Sequence, residues 1–600
     1  MKELAVLNKY FFKYKKLLLL GIGFVFMANY FRVLQPQMIR EALDLVMDNI
    51  DFYKLYNGFD NQKALYQSLG QTLLFFGGLV LLLALLMGVF MYFMRQTIIV
   101  MSRLIEYDIR KEIFAHYESL DLAFYKRNNT GDLMARITED VTKVRMYVGP
   151  ALLYGINLVS LFVMVIYSML SVSVELTLYT LAPLPILSIS IYYVSNLIHK
   201  KSTIIQQQLA TLNSTAQEVY SGIRVVKSYV QEKPMIHFFK HQSGDFKDKS
   251  MNLAKVNALF FPLMILLVGV STVITIYVGG LQVAKGNITT GNIAEFVIYV
   301  NMLTWPVTAI GWIASIIQQA AASQKRINEF LKTKTAIPLT GEKAKTLHGD
   351  IVFDKVYFTY PDTGIEAIKD ISFQLKQGQK LAIIGRTGSG KTTIADLLLR
   401  MYDVSDGEIL IDGKNIQQYN PANLRKHIGY VPQDVFLFSN SIADNIAFGK
   451  RDAQRSEIEQ YSKYAAVYED IQGLSEGFDT MVGERGVTLS GGQKQRVSIA
   501  RALIKQPSIV ILDDCLSAVD TNTEQKILNY LNQELADKTV VIITHRIFGT
   551  LKFDHIIVLE DGQIAENGTH EELIDKKGYY FELFERQKAE EENQHQNIKN

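Results

Sequence analysis

Six stretches of this sequence are long and apolar enough to leave water, and they limit the fold of its first half more than any other feature. They are Leu17–Leu34, Thr72–Met94, Tyr147–Leu170, Leu176–Leu197, Ala258–Val278 and Ile293–Ala320. Each is close to the roughly 20 residues that an α-helix needs to cross a bilayer. Hydrocarbon offers no partner to a backbone N–H or C=O, so such stretches fold as helices. The third and fourth are separated only by Ser171–Glu175 and read as a tight hairpin. Pro183, Pro185 and Pro306 mark expected kinks.

Charge orients the spans. Lys2, Lys9, Lys13, Lys15 and Lys16 precede the first, Arg95, Arg103, Arg110 and Lys111 follow the second, and His199, Lys200 and Lys201 follow the fourth. The loop after the first span is acidic, with Glu41, Asp44, Asp48, Asp51 and Asp60 against Lys54 and Lys63. Basic residues stay on the cytoplasmic side, which puts both termini in the cytoplasm. Glu3–Tyr14 is amphipathic and reads either as an interfacial helix or as a basic flank to the first span. The inside loops after the second and fourth spans keep helical periodicity over about fifty residues each. Each reads as a helical hairpin reaching about 35 Å beyond the membrane, at about 1.5 Å per residue. In the first, Asn128–Asp132 reads as a turn, with Thr130 capping the returning helix and Asp132 in its first turn. Polar and aromatic residues within the spans include Tyr154, Asn157, Tyr192, Tyr193, Asn301, Trp305, Trp312, Gln318 and Gln319. Interhelix hydrogen bonding and interfacial anchoring account for most of them, and those on the sixth span are candidates to line a translocation cavity.

The chain has 600 residues, too many for one core, and a formal net charge of +2 that argues against a nucleic-acid partner. The 48% of hydrophobic residues is an average over an apolar first half and an ordinary charged second half. Cys515 is the only cysteine, which excludes a disulfide framework, a Cys-rich metal site and a cysteine peptidase in the first half. Met1–Lys16 shows no cleavage-type site, so no signal peptide is expected.

The second half is organised by Ile383–Thr393. Gly385, Arg386, Thr387, Gly388, Ser389, Gly390, Lys391 and Thr392 form the full P-loop pattern, with Thr393 next in the helix. A strand, Lys380–Ile384, precedes it and a helix, Ile394–Arg400, follows, which is the context the motif requires. Glycines let backbone N–H groups converge on phosphate oxygens at a helix N-terminus. Lys391 supplies a cation for the β- and γ-phosphates, and the Thr392 hydroxyl can ligate Mg²⁺. The expected ligand is therefore ATP with Mg²⁺. Ile509–Asp513 is an apolar run ending in an acid, a buried parallel strand whose Asp513 can hold the Mg²⁺ shell. Thr539–Thr544 is a second such run, and His545 at its end can reach a γ-phosphate. Gln433, after the strand Ile428–Val431 and Pro432, can contact Mg²⁺ or the attacking water. Tyr360 ends the strand Ile351–Tyr360 and can stack on the base. Leu489-Ser490-Gly491-Gly492-Gln493 opens the helix Lys494–Leu503, with Ser490 as its cap. This is a second phosphate-binding device, which points to a site shared between chains.

Tyr360, the P-loop, Gln433, Leu489–Gln493, Asp513, Ser517–Asp520 and His545 occur in the order found in ABC-transporter ATPase domains. Gly483–Gly486 resembles the exporter X-loop, and Phe124–Leu133 and Glu218–Lys227 resemble segments carrying that family's coupling helices. The whole chain, apart from the tail after Glu585, resembles a bacterial ABC exporter half-transporter of the multidrug and lipid type. The resemblance implies a membrane domain of six transmembrane helices over residues 1–324, a linker over 325–350, an α/β P-loop ATPase domain over 351–585 and a charged tail over 586–600. It implies a multi-pass protein of the bacterial cytoplasmic membrane and a dimer that sandwiches two ATPs, each between one chain's P-loop and the other's signature. It implies a hydrophobic small molecule or lipid as cargo, moved by alternating access.

One position departs from the pattern. The family's usual residue after the Walker B aspartate is Glu, which polarises the attacking water, and here it is Asp514. Asp is one methylene shorter, and catalytic geometry is sensitive at about the 1 Å scale. Beside an intact signature this resembles the degenerate-site subunit of heterodimeric exporters, and favours a heterodimer over a homodimer. A lipid floppase and a non-transporting regulator or channel are the competing readings.

Overall fold

The computed structural model describes residues 2–55, 58–59, 61–483, 489–516, 519, 521–535, 537–547 and 551–599. The chain forms two compact units, Met1–Ala115 with Leu133–Thr333 and His116–Asp132 with Lys334–Asn600. The Glu484–Gly486 part of the X-loop stretch, and Ser517, Ala518 and Asp520, lie outside the described residues.

In the first unit, 5 helices among the described residues are long and apolar enough to cross a membrane: Lys15–Ile50, Gln62–Ser119, Thr130–Val172, Glu232–Ala284 and Thr290–Leu331. The fourth apolar stretch is divided at Ala182 between the helices Val174–Leu181 and Pro183–Ser221, and neither is among those five. Pro183 and Pro185 lack the N–H groups that would join the pieces, while Ala182 keeps helical angles. Six spans are thus accommodated. The helix Thr290–Leu331 runs unbroken past Pro306. Ser173 closes the hairpin between the third and fourth stretches, its hydroxyl accepting from the Leu176 N–H at 3.2 Å.

Both excursions expected on the cytoplasmic side are helical. The first descends on Asn61–Ser119, turns through the short helix Leu122–Arg127 and returns from Thr130. Its cap is not Thr130, which is the first helical residue. Asn129, one position earlier, accepts from the Gly131 N–H at 2.9 Å, while Asp132 stands in the first turn. The second runs from Pro183–Ser221 through Ile223–Ser228 to Glu232–Ala284. The N-terminal segment is helical over Lys2–Leu7 and Asn8–Lys13, and Lys9 and Lys13 pair with Glu112 and Asp108 at 2.7 and 2.5 Å.

The spans pack through an apolar cluster that includes Val33, Leu161, Leu176, Phe296 and Leu303, joined by buried polar contacts. Glu295, fully buried, accepts from Arg40 at 3.1 Å and from the Tyr299 hydroxyl at 3.0 Å. Asn157 accepts from Asn29 at 3.0 Å, and Tyr154 meets Trp305 and Trp312 edge-on at 5.5 and 5.6 Å. Asn301, Gln318 and Gln319 on the sixth span are exposed, and the side chain of Tyr192 lies outside the described residues.

The second unit is built on a six-stranded sheet, β10-β9-β3-β8-β7-β6, and a four-stranded antiparallel sheet, β2-β1-β4-β5. Their ranges are β1 Ile351–Thr359, β2 Glu366–Leu375, β3 Lys380–Gly385, β4 Asp406–Ile411, β5 Lys414–Asn415, β6 Ile428–Val431, β7 Ile509–Asp513, β8 Thr539–Ile543, β9 His555–Glu560 and β10 Gln563–Gly568. β9, β3, β8, β7 and β6 are parallel. All five residues of β7 and of β8 are buried, as expected of a sheet covered on both faces. Alternation along the strands divides the core. Leu381, Ile383, Ile511 and Val541 join the layer with the four-stranded sheet, and Val510, Leu512, Val540 and Ile542 join the helical layer containing Gly491–Leu503. The tip helix Leu122–Arg127 belongs to this unit, with Ala123 buried in the first of those layers.

Candidate active site

A cleft of about 1020 Å³ opens at the C-terminal ends of the parallel strands, where α/β sheets place their ligands. Tyr360, Gly385, Arg386, Thr387, Gly388, Gly390, Lys391, Thr392, Thr393, Gln433, Asp513, Asp514 and His545 all line it. The P-loop leaves β3 and enters the helix Lys391–Leu398, three residues earlier than expected, so Thr392 and Thr393 sit in its first turn. Gly390 caps that helix at φ +100°, and a Cβ there would stand 2.6 Å from the Ala367 carbonyl oxygen, so the loop requires glycine. Ser389 is buried beside it rather than lining the cleft, its hydroxyl meeting no hydrogen-bond partner among the described residues.

Charges are concentrated on the floor. Lys391 Nζ donates to the carbonyls of Gly385 and Arg386 at 2.9 and 2.7 Å, and burial lowers its pKa while Asp513 and Asp514 oppose that. Burial, with help from Asp514 and Asp396, pushes the Asp513 carboxyl up to about 6 against the Thr392 hydroxyl and Lys391. One Asp513 oxygen is buried with no hydrogen-bond partner among the described residues. An orphaned carboxylate oxygen beside a threonine hydroxyl, with Gln433 on the same wall, fits a divalent cation that takes its other ligands from phosphate and water. No protein cage of three or more His, Cys, Asp or Glu occurs among the described residues, as a Mg²⁺–nucleotide site does not need one.

Asp514 occupies the left-handed region at φ +44°, a strained conformation for a non-glycine residue, with its N–H donating to Ile543 at 2.8 Å. Its carboxylate lies 3.0 Å from His545 Nδ1. Donating from Nδ1 leaves Nε2 of His545 for another partner. Cys515, next in the chain, is fully buried with its thiol pKa pushed up, so it stays protonated and unreactive.

The Tyr360 hydroxyl bonds Thr393 at 2.9 Å and its ring meets Tyr402 edge-on at 5.5 Å. Lys126, from the tip helix, places its ammonium 4.9 Å from the Tyr360 ring and 5.2 Å from that of Tyr402. Sequence reasoning missed Lys126, more than two hundred residues away. It also missed Tyr579 and Leu583, which line the cleft from the C-terminal helix Tyr579–Lys599. The Arg386 guanidinium lies 5.6 Å from the Tyr579 ring. No local pattern marks these residues, because only the fold brings them to the P-loop.

Ser490, Gly491, Gly492 and Gln493 do not line this cleft. They begin the helix Gly491–Leu503, so Gly491–Gln493 are already helical rather than a lead-in to it. Ser490 caps as expected, its hydroxyl accepting from the Gln493 N–H at 3.3 Å while the Gln493 side chain accepts from the Ser490 N–H at 3.0 Å. Gln493 also donates to Asp470 at 3.1 Å, and Arg496 pairs with the other Asp470 oxygen at 2.7 Å.

The comparisons agree with this geometry. Residues 18–307 match the ABC transporter transmembrane region and residues 368–517 match the ABC transporter family. A probable multidrug resistance ABC transporter ATP-binding/permease protein of Bacillus subtilis, YheI, is 38% identical over 94% of this chain and 97% of its own length. The multidrug resistance-like ATP-binding protein MdlA of Escherichia coli is 35% identical over 87% of this chain and 88% of its own. An ATP-dependent lipid A-core flippase of Pseudomonas fluorescens is 34% identical over 84% of each. A solved bacterial Atm1-family ABC exporter with ATP bound superposes with a TM-score of 0.75, at 26% identity over 95% of this chain and 99% of that one. A helical membrane unit fused to a P-loop ATPase unit, matched over nearly its whole length, makes this chain a member of the ABC transporter family, an ATP-hydrolysing exporter.

Proposed function

We propose that this chain is one half of a dimeric exporter that moves a hydrophobic drug-like molecule or a lipid across the bacterial cytoplasmic membrane, both termini lying in the cytoplasm. The observation that carries the dimer is the separation, within one chain, of the P-loop cleft from the capped helix start at Ser490–Gln493. A second phosphate-binding helix start that its own cleft does not use is accounted for by a triphosphate on another chain. The names of the relatives, multidrug and lipid flippase, support the cargo class. Residues 1–324 carry the spans, 325–350 link them to the ATPase domain at 351–585, and 586–600 form the tail.

In the cleft, Tyr360 stacks on the base and Lys391 exchanges its two loop carbonyls for the β- and γ-phosphates. Thr392, Gln433 and Asp513 would hold Mg²⁺, which when bound would supply neutralising charge to the phosphates. His545 Nε2 donates to the γ-phosphate when protonated, with Nδ1 held by Asp514. Asp514 orients the water, yet it is shorter than Glu and already engaged with His545, which makes this chain's own cleft the slow one. The faster chemistry then takes place on a partner's P-loop against this chain's signature, so the dimer is a heterodimer.

ATPase activity of the purified chain alone tests this. Turnover is expected to be slow, and Asp514→Glu to raise it about tenfold. Robust turnover that depends on Asp514 would remove the heterodimer. Stimulation by lipids against a panel of hydrophobic cations, in proteoliposomes, decides between lipid and drug cargo.

A further inference from the structure

Resting on the ATPase reading above, we propose that the C-terminal helix Tyr579–Lys599 is a strap on the catalytic loop, and that Gln587 is a positioning residue for His545. The loop leaves β8 at Ile543 and passes through Thr544, His545 and Arg546 to Ile547. It is fixed on both sides of the histidine. Before it, the Thr544 hydroxyl accepts from the Arg546 N–H at 3.0 Å, and the Thr544 N–H donates to Ile383 of β3 at 3.1 Å. After it, the Gln587 carboxamide takes both backbone groups of Ile547. Its oxygen accepts from the Ile547 N–H at 2.9 Å and its nitrogen donates to the Ile547 carbonyl at 2.8 Å. That is the pairing a neighbouring strand would supply, and here a helix side chain supplies it.

The helix is itself anchored to the site. Glu566 of β10 accepts from the Tyr579 N–H at 2.5 Å, and Tyr580, fully buried, bonds His570 at 2.7 Å. Tyr579 and Leu583 reach the nucleotide cleft, where Arg386 of the P-loop faces the Tyr579 ring. The strap and the sheet do not close tightly around the contact. A cavity of about 790 Å³ lies between them, lined among others by Ile547, Phe553, Phe584 and Gln587. The Ile547 side chain packs against the apolar cluster that includes Ile384 and Tyr580, and the two hydrogen bonds from one amide fix its backbone. A helix that touches the P-loop at one turn and the γ-phosphate histidine's loop two turns later ties the two together.

The test uses Gln587→Ala and the isosteric Gln587→Glu in the purified full-length chain alone, so that turnover reports its own cleft, with two readouts. Hydrogen exchange at the Ile547 amide is expected to be about tenfold faster in Gln587→Ala, with exchange in the helix Lys391–Leu398 unchanged. Gln587→Glu keeps the acceptor and loses the donor, so it falls between Gln587→Ala and the wild type. ATP turnover in Gln587→Ala is expected to fall about tenfold in kcat with KM for ATP within about twofold, because Tyr360 and the P-loop supply most of the contacts to bound ATP. Unchanged exchange at Ile547 overturns the strap. Faster exchange with unchanged kcat, or a kcat loss matched by a rise in KM, overturns the positioning role. If wild-type protein shows no turnover with Mg²⁺ and ATP, the ATPase reading fails, and the exchange measurement alone decides the strap.

Discussion

The two units meet the same physical demand in opposite ways. In the nucleotide unit the strands β7 and β8 are buried at all five positions by the chain's own helices and second sheet. In the membrane unit the most apolar window of the helix Gln62–Ser119 is only 6% buried, and that of Thr290–Leu331 reaches 38%. An apolar residue left exposed in water costs about 1.5–3 kcal/mol, so the first unit does not stand in water as a single chain. Lipid or a partner must cover it. The nucleotide unit carries its own cover and spends its specificity on a few polar side chains at one edge. The contrast teaches where motifs can exist: chemistry fixes residue identity in one unit, whereas hydrophobicity alone suffices over most of the other.

The largest effect that would test this contrast is at Lys391. Lys391→Ala is expected to abolish nucleotide-dependent turnover, by at least about a hundredfold, while leaving the fold intact, because its bonds are to the loop's own carbonyls. Circular dichroism and ATPase assays check both halves of that statement. The pH dependence of the same cleft is the next in size. The folded-state pKa of Asp513 is raised from 3.8 to about 6, so in the nucleotide-free protein its contribution to stability is full below the ordinary range and is lost as pH rises through about 6. Mg²⁺ requires the carboxylate, so Mg²⁺-dependent ATP binding is expected to weaken up to about tenfold for each pH unit below about 6. A titration of ATP affinity with Mg²⁺ from pH 5 to 7.5 measures it, and Asp513→Asn removes the dependence.

In the membrane unit a single buried contact should matter as much as the motifs do in the other. Glu295→Ala leaves Arg40 with only the exposed Glu41 and the Tyr299 hydroxyl with only the Val33 carbonyl to donate to, which costs about 3 kcal/mol. A lowered unfolding temperature in detergent is expected, with less loss for Glu295→Gln, which keeps one acceptor oxygen. A neutral result for Glu295→Ala would show that packing by lipid, not this network, holds the first and sixth spans. The smallest effect is at Lys126. Lys126→Ala removes a cation from the rings of Tyr360 and Tyr402, worth about 0.5–1 kcal/mol at a partly exposed site. ATP affinity is expected to drop about threefold, read from nucleotide binding at fixed salt.

Much of the nucleotide site was legible in the sequence. Glycines, Lys391, Thr392, Asp513 and His545 are each the residue type that a phosphate, a cation or a strand end demands, whereas the sheet order β3-β8-β7, which sets the strand leading to His545 between those of Lys391 and Asp513, is not the chain order. Element ends were less legible. The helix after the P-loop begins at Lys391, and that of the signature at Gly491, because cap geometry rather than apolar periodicity sets a first turn. Thr130 lost its capping role to Asn129 for the same reason.

Sequence alone determined that this chain spans a membrane, binds a nucleoside triphosphate and carries two glycine-containing helix starts, at Gly390 and at Ser490. Those facts reside in hydropathy and in local spacing, which need no partner to be read. Tertiary structure alone decided that Lys126 covers the ring of Tyr360, that Asp514 is taken up by His545, that Gln587 clamps Ile547, and that Ser490–Gln493 stand outside their own chain's cleft. Each joins residues with no periodic relation along the chain, and a contact between distant segments exists only once backbone hydrogen bonding and burial have fixed the path between them.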